Sequence, residues 1–466
     1  MSKNKSGVSP LNSRRSFLKS TSLGAAGFYI VPRHVLGRGY IAPSDKVNVG
    51  VVGVGGRGRK NIIELLKEDD VQISALADPA EYWDLANFYY KSKAGRGPVR
   101  EMIEKERPGA PQISEYEDFE KMLAEENDLD AILCATPDHT HAYVSIKAMQ
   151  AGKHVYCEKP LTHNIWEARR VREVARESGV ATQMGNQRHS TADLRGAVEH
   201  LKADVIGDIQ QIHAWVPATR WNNYLEGVPE ETSALPQGLN WDLWLGPRAH
   251  RPFHETYAPV TWRDYWDFGL GALGDFGCHD MDTATWGLDL PLPTKIQVKP
   301  AGKNSESLTP YGEIGYYEFP GKGGKPDVML NWYSGGLQPR RPALLPTSEK
   351  LTSRGEMYIG SKGIMLFGGK DYVRIFPEEL RPTDVAATLP VTNGHHRDWI
   401  DAIKGGPQAS SHFEYGAHLT EITLLGVLSL RLGGAMIHWD AENMKAIGLP
   451  EADRLIQETV REGWEM

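Results

Sequence analysis

The stretch Val47-Asn48-Val49-Gly50-Val51-Val52, followed by Gly53-Val54-Gly55-Gly56-Arg57-Gly58, constrains the fold more than any other part of the sequence. The first six residues are a short β-branched run of the kind buried on both faces in a parallel sheet. The next six fit G-x-G-x-x-G, and Ile62, Ile63, Leu65 and Leu66 then recur at helical spacing between Lys60 and Glu68. A lone glycine motif is weak, but strand, glycines and helix in that order describe a dinucleotide-binding turn. Gly53 permits the tight turn, Gly55 lets backbone approach a pyrophosphate, and Gly58 lets helix pack on strand. Gly56 and Arg57 lie where the helix N-terminus offers free N–H groups and partial positive charge. A second strand, Val71 to Ala77, ends at Asp78, 20 residues past Gly58. A carboxylate there accepts hydrogen bonds from ribose hydroxyls and repels a 2′-phosphate, which favours NAD over NADP. Neighbouring basic residues would still admit NADP.

Two more strands of this type follow. Ala131 to Ala135 runs into Thr136-Pro137-Asp138-His139-Thr140-His141, and His154 to Cys157 delivers Glu158-Lys159-Pro160. Loops at the carboxyl ends of parallel strands face the ligand crevice. Thr136, Pro137, His141, Glu158 and Lys159 are therefore candidate cofactor contacts, with His141 either positioning ligand or only starting a helix. Between them, Tyr82 to Pro111 is rich in Gly, Pro and charge and reads as a surface excursion with no legible role.

From about residue 161 the pattern changes. After a helical stretch, Ile165 to Glu177, and a strand, Val180 to Gly185, β-like runs recur at Ile209–Trp215, Lys295–Val298, Gly312–Phe319 and Asp327–Trp332, then at Glu356–Ile359 and Gly363–Phe367. Turn-rich spacing between them predicts a largely antiparallel sheet. Two late helical segments, His395 to Lys404 and Tyr415 to Leu432, are expected to pack against it. Chemistry is expected in Gly269-Leu270-Gly271-Ala272-Leu273-Gly274-Asp275-Phe276-Gly277-Cys278-His279. Asp275 and His279 are four apart and share a face if the segment is helical. A carboxylate beside an imidazole can orient it, as a general base for alcohol oxidation requires. Gln187, Arg188 and His189 follow a strand end and are candidates to line a substrate pocket. Seven of the thirteen tryptophans lie between Trp215 and Trp286, where most are expected to be packing residues.

Near the N-terminus, Ser13-Arg14-Arg15-Ser16-Phe17-Leu18-Lys19 resembles a twin-arginine export signal, with a weakly apolar stretch from Ser20 to Val31. Export to the periplasm is the expectation, and such signals carry folded, cofactor-loaded proteins. Cys134, Cys157 and Cys278 are odd in number and far apart, so they read as buried small hydrophobes and not as a disulfide framework. A formal charge of −8 argues against non-specific nucleic-acid binding. No apolar run approaches the roughly 20 residues that span a bilayer.

Taken in order, Gly53–Gly58, Thr136–His141, Glu158-Lys159-Pro160 and Gly271–His279 resemble the signature of the Gfo/Idh/MocA oxidoreductases over about residues 46 to 445. The resemblance implies an α/β protein: an N-terminal Rossmann dinucleotide-binding domain and a C-terminal α/β domain with a large, open, mostly antiparallel sheet that often mediates oligomerisation. The boundaries expected are 1–45 for signal and linker, 46–160 for the Rossmann domain, 161–445 for the substrate and oligomerisation domain, and 446–466 for a C-terminal tail or helix. By position, Lys159 matches the family's catalytic lysine, and Asp275 and His279 match its aspartate–histidine pair. Lys159, Asp275 and His279 would then meet the substrate as well. The implied activity is NAD(P)-dependent oxidation of a ring hydroxyl of a sugar or glycoside, with C3 favoured, by a homo-oligomer (dimer or tetramer) with tightly held NAD. No metal is called for. Asp138 departs from the asparagine of many members. The alternative is a glycoside hydrolase that uses NAD transiently; the best-known group of that type lacks Glu-Lys-Pro.

Overall fold

The computed structural model describes residues 43–303, 305–368 and 373–466. The twin-arginine motif and the apolar stretch after it lie outside the described residues. Pro43–Asp45 is a short 3-10 turn, and Val47–Met466 is a single unit.

Eight strands open that unit: β1 (Val47–Val52), β2 (Val71–Ala77), β3 (Trp83–Asp84), β4 (Lys93–Ala94), β5 (Ser114–Tyr116), β6 (Ala131–Cys134), β7 (His154–Glu158) and β8 (Thr182–Gly185). Six of them form a sheet in the order β5-β2-β1-β6-β7-β8, with every pairing parallel. The boundary expected at 160 therefore moves, because β8 continues the parallel sheet to Gly185. β-branched side chains fill both faces. Val49, Val51, Ile73, Leu76 and Leu133 pack with Trp399 and Ile400 of the helix His395–Ile403, while Ile132, Cys134, Val155 and Cys157 pack with Ile146, Met149 and Val171. All three cysteines are free and buried. The helix Ile165–Ser178 is bounded as its sequence suggests: Asn164 and Glu167 form a capping box, and Gly179 ends it at φ 65°.

The excursion after β2 is ordered. β3 and β4 pair as a small antiparallel hairpin, and the helix Arg96–Glu106 follows it.

The second sheet contains β9 (Ile209–Trp215), β10 (Lys295–Ala301), β11 (Gly312–Phe319), β12 (Val328–Tyr333), β13 (Gly355–Gly360), β14 (Ile364–Phe367), β15 (Val373–Phe376), β16 (Ile437–Asp440) and β17 (Lys445–Ala446). Its order is β15-β14-β13-β9-β12-β11-β10-β16-β17. Only the β9–β12 pairing is parallel; the others are antiparallel. The helix Phe413–Arg431 packs on this sheet and against the helix Gly271–Asp280. Glycine makes the helix contact close: a Cβ on Gly277 would lie 2.7 Å from Thr423 Cγ2.

The last residues include a short helix, Asp453–Ile456, and are tied to the body of the protein. Glu458 is held by Arg248 at 2.7 Å and by His163 at 2.9 Å, and Trp464 packs on Tyr143 with centroids 4.7 Å apart.

Candidate active site

The carboxyl ends of β1, β2, β6 and β7 open into one cavity of about 680 Å³, lined at one end by the glycine loop and at the other by Lys159, Asp275 and His279.

The glycine end is shaped by missing side chains. Gly53 has φ 80°, and a Cβ there would lie 2.7 Å from the Ala135 carbonyl carbon. On Gly58 it would lie 2.0 Å from the Gly53 oxygen, whereas on Gly55 it would meet nothing within 4 Å. The loop is thus tight against its own helix and open toward the cavity, which fits a pyrophosphate. Asp78 is buried beside it. Its two carboxylate oxygens accept from the Val54 N–H at 2.8 Å and the Ala80 N–H at 2.9 Å. Burial pushes its pKa up to about 6, against the pull of those two N–H groups and of Arg96. Each oxygen keeps a lone pair for a ribose hydroxyl. Arg57 and Glu158 line the same end. Glu158 Oε1 accepts from Asn61 at 2.8 Å and from Gln187 at 2.6 Å.

The other end is built from charges. Lys159 Nζ donates to the Asp275 backbone oxygen at 2.7 Å and to Asp275 Oδ1 at 2.5 Å. An ammonium has three protons, so one remains for a ligand oxygen. Arg263 Nε lies 3.6 Å from the same Oδ1, and its guanidinium sits 4.1 Å from the Trp262 ring centroid. Burial would raise the Asp275 pKa, but Lys159 and Arg263 outweigh it and hold the carboxyl below the usual range. His279 shares the helix face, as the spacing predicts. Burial, Lys159 and Arg354 drive its pKa well below the ordinary imidazole value, so the ring is neutral.

One expected contact is absent. The resemblance implies that Asp275 orients His279, but the carboxylate is engaged by Lys159, and among the described residues His279 Nδ1 has no hydrogen-bond partner. The stronger charge–charge contact captures Asp275.

Thr136, Pro137 and His141 also line the cavity. The His141 ring lies between the Pro160 oxygen at 2.7 Å and the Thr136 oxygen at 2.9 Å; it ties together the two loops that carry the site. Cys134, His141 and Cys157 bring potential ligand atoms within 4.8 Å of one another, but both imidazole nitrogens already face carbonyl oxygens, so we assign no metal there. Asp138 lines the cavity. Burial pushes its carboxyl up to about 7, with Arg263 and Lys159 opposing and Asp275 reinforcing that rise. Near neutrality it is partly protonated and can donate as an asparagine would.

Gln187, Arg188 and His189 do not line the cavity. β8 is the edge strand, and its carboxyl end lies to one side. Gln187 bonds the Tyr156 hydroxyl at 2.8 Å. His189 bonds Asp282 at 3.0 Å and stacks on Trp286 with centroids 3.9 Å apart. Arg188 lies over the Phe367 ring at 5.3 Å. The residues lining that space instead include Arg220, Arg263, Arg354 and Thr309, with Tyr89, Tyr90, Trp221 and Trp464. Sequence reasoning missed them because no short motif carries them; the tryptophan-rich interval around Trp221 and Trp262 was the only local signal.

A parallel β-sheet with an open glycine loop, its own Lys159 paired in the same cavity with Asp275 of a second domain, defines a Rossmann-type dinucleotide-binding protein. Residues 47–186 match the model of an oxidoreductase family with an NAD-binding Rossmann fold. Residues 211–322 match the family's C-terminal α/β domain, so the two matches together span more than half of the 466 residues. The chain belongs to the Gfo/Idh/MocA oxidoreductase family.

Among curated relatives, levoglucosan dehydrogenase of Pseudarthrobacter phenanthrenivorans is 24% identical over 250 residues, covering 52% of this chain and 51% of the relative. A glycosyl hydrolase family 109 protein of Solibacter usitatus is 31% identical over 162 residues, covering 33% and 35%. The matched region thus spans about half or less of those relatives' length. The crystal structure of the WlbA dehydrogenase from Bordetella pertussis, in complex with NADH and UDP-GlcNAcA, superposes with a TM-score of 0.57 at 18% identity, over 85% of this chain and 99% of that one. That likeness concerns the fold.

Proposed function

We propose that this protein is an NAD(P)-dependent sugar or glycoside dehydrogenase that oxidises a ring hydroxyl, at C3 in our reading. The observation that carries it is the single cavity with the open glycine loop and Asp78 at one end and Lys159, Asp275 and His279 at the other. A bound nicotinamide supplies the hydride acceptor. The third proton of Lys159 hydrogen-bonds the reacting oxygen and stabilises negative charge as it develops. Neutral His279 accepts the hydroxyl proton, and Asp275 fixes the ammonium in place. Arg263 and Arg354 bring further donors to the same end. Levoglucosan dehydrogenase is named for a sugar derivative and the WlbA dehydrogenase is seen with UDP-GlcNAcA bound, which supports carbohydrate as the substrate class.

The twin-arginine motif supports export to the periplasm, with the cofactor loaded before export and held through turnover. A homo-oligomer through the open nine-stranded sheet is part of the same proposal. The second reading is a hydrolase that oxidises, eliminates, hydrates and reduces; the family 109 relatives favour it, whereas Glu158-Lys159-Pro160 favours simple oxidation. A panel of sugars and glycosides incubated with NAD-loaded protein and read by mass separates them. Loss of two hydrogens is the expected product. A reducing sugar released without net NADH would select the hydrolase, and no conversion of any carbohydrate would overturn both.

A further inference from the structure

The excursion after β2 places aromatic rings beside the glycine loop. Tyr90 lies against the glycine loop: a Cβ on Gly56 would sit 2.2 Å from the Tyr90 ring. Tyr89 and Tyr90 pack with ring centroids 4.0 Å apart, and the Lys60 ammonium braces them at 5.6 and 5.2 Å. From there the wall crosses to the second domain. Tyr89 stacks on Trp221 with centroids 6.0 Å apart and planes 20° apart, and Phe88 meets Trp221 edge-on at 6.1 Å. Its base is fixed by the β3–β4 hairpin, where Leu85 and Ala94 are buried against Val260 with Trp83, Phe88 and Tyr90 packed around them. Tyr89, Tyr90 and Trp221 all line the cavity.

We infer that Tyr89, Tyr90 and Trp221 form an aromatic wall that retains the dinucleotide by closing the cavity between the phosphate loop and the second domain. This rests on the proposed nicotinamide reading. A dinucleotide held on the glycine loop has Tyr90 beside its pyrophosphate, and leaving requires the Tyr89–Trp221 stack to part. Each stacked aromatic contact resists that opening, so loss of one ring speeds release by about tenfold.

The test is nucleotide exchange on the full chain. Protein loaded with isotopically labelled NAD is mixed with excess unlabelled NAD, and the bound label is followed by mass after quenching. Tyr90→Ala and Trp221→Ala are expected to exchange about tenfold faster than the parent protein, and Tyr90→Phe at the parent rate. Trp221 lies at the surface, 42% exposed, so Trp221→Ala tests the wall even if Tyr90→Ala unfolds. Equal exchange by the parent and by Trp221→Ala, with label bound in both, would overturn the wall alone. A parent protein that neither releases NAD on denaturation nor takes up label would overturn the nicotinamide reading and the wall with it.

Discussion

The two ends of the cavity are made of different materials. The glycine end is backbone: Gly53, Gly55 and Gly58 work by having no side chain, and their positions follow from one contiguous turn. The lysine end is side chain: Lys159 and Asp275 meet from positions 116 residues apart, with Arg263 joining from a third segment. A backbone turn fails when bulk is added at Gly53 or Gly58. A site of opposed charges tolerates changes of shape and fails when a charge is removed. Binding and chemistry should therefore separate under mutation.

The largest effect is expected at the charged end. Lys159→Ala removes the donor to the reacting oxygen and should lower kcat about a thousandfold, with NAD affinity nearly unchanged by titration of bound nucleotide. Equal losses of both would erase the contrast. Gly58→Ala should do the reverse. Its new methyl would clash with the Gly53 oxygen, at 2.0 Å, costing about 1–3 kcal/mol of stability and weakening NAD binding, as thermal melting and nucleotide titration would show. A smaller effect follows from Asp78. Its folded pKa, about 6, lies above its ordinary value of 3.8. The protonated form therefore contributes stability below the ordinary value, and that contribution is lost as pH rises through 6. NAD affinity should move the other way, weakening by up to about tenfold per pH unit as pH falls below the free-state value of about 6 and levelling off below the bound-state value, because the protonated carboxyl is a poorer acceptor. Calorimetry between pH 4 and pH 8, the range around that value, would show the opposed slopes. Smallest is Asp138→Asn, where the carboxyl titrates near pH 7. The variant should stay within about threefold in kcat and lose a kinetic inflection near neutrality.

The same contrast governs what could be read from the sequence. Val71–Ala77, Ile209–Trp215 and Gly312–Phe319 match the strands read from β-branched and alternating runs, because burial of strand faces writes a local pattern. The glycine turn was equally legible. Val373–Phe376 and Ile437–Asp440 were not, because these four-residue strands lack the unbroken apolar run that marks the equally short Ala131–Cys134 and Ile364–Phe367. At the charged end the lysine, aspartate and histidine came from ordered motifs, but their partners did not. Asp275 bonds Lys159 in place of His279, and Gln187, Arg188 and His189 turned away because β8 is at the sheet edge. Tyr90 against Gly56, like Tyr89 against Trp221, is a contact between distant segments, and only the folded chain reveals it.

Trp83, Trp221, Trp244, Trp262 and Trp464 all line the cavity. Indole emission overlaps the absorption of reduced nicotinamide but not of the oxidised form. The protein thus carries its own optical gauge: excitation of tryptophan should report, without any added dye, whether the nucleotide inside is waiting for a hydride or already holds one.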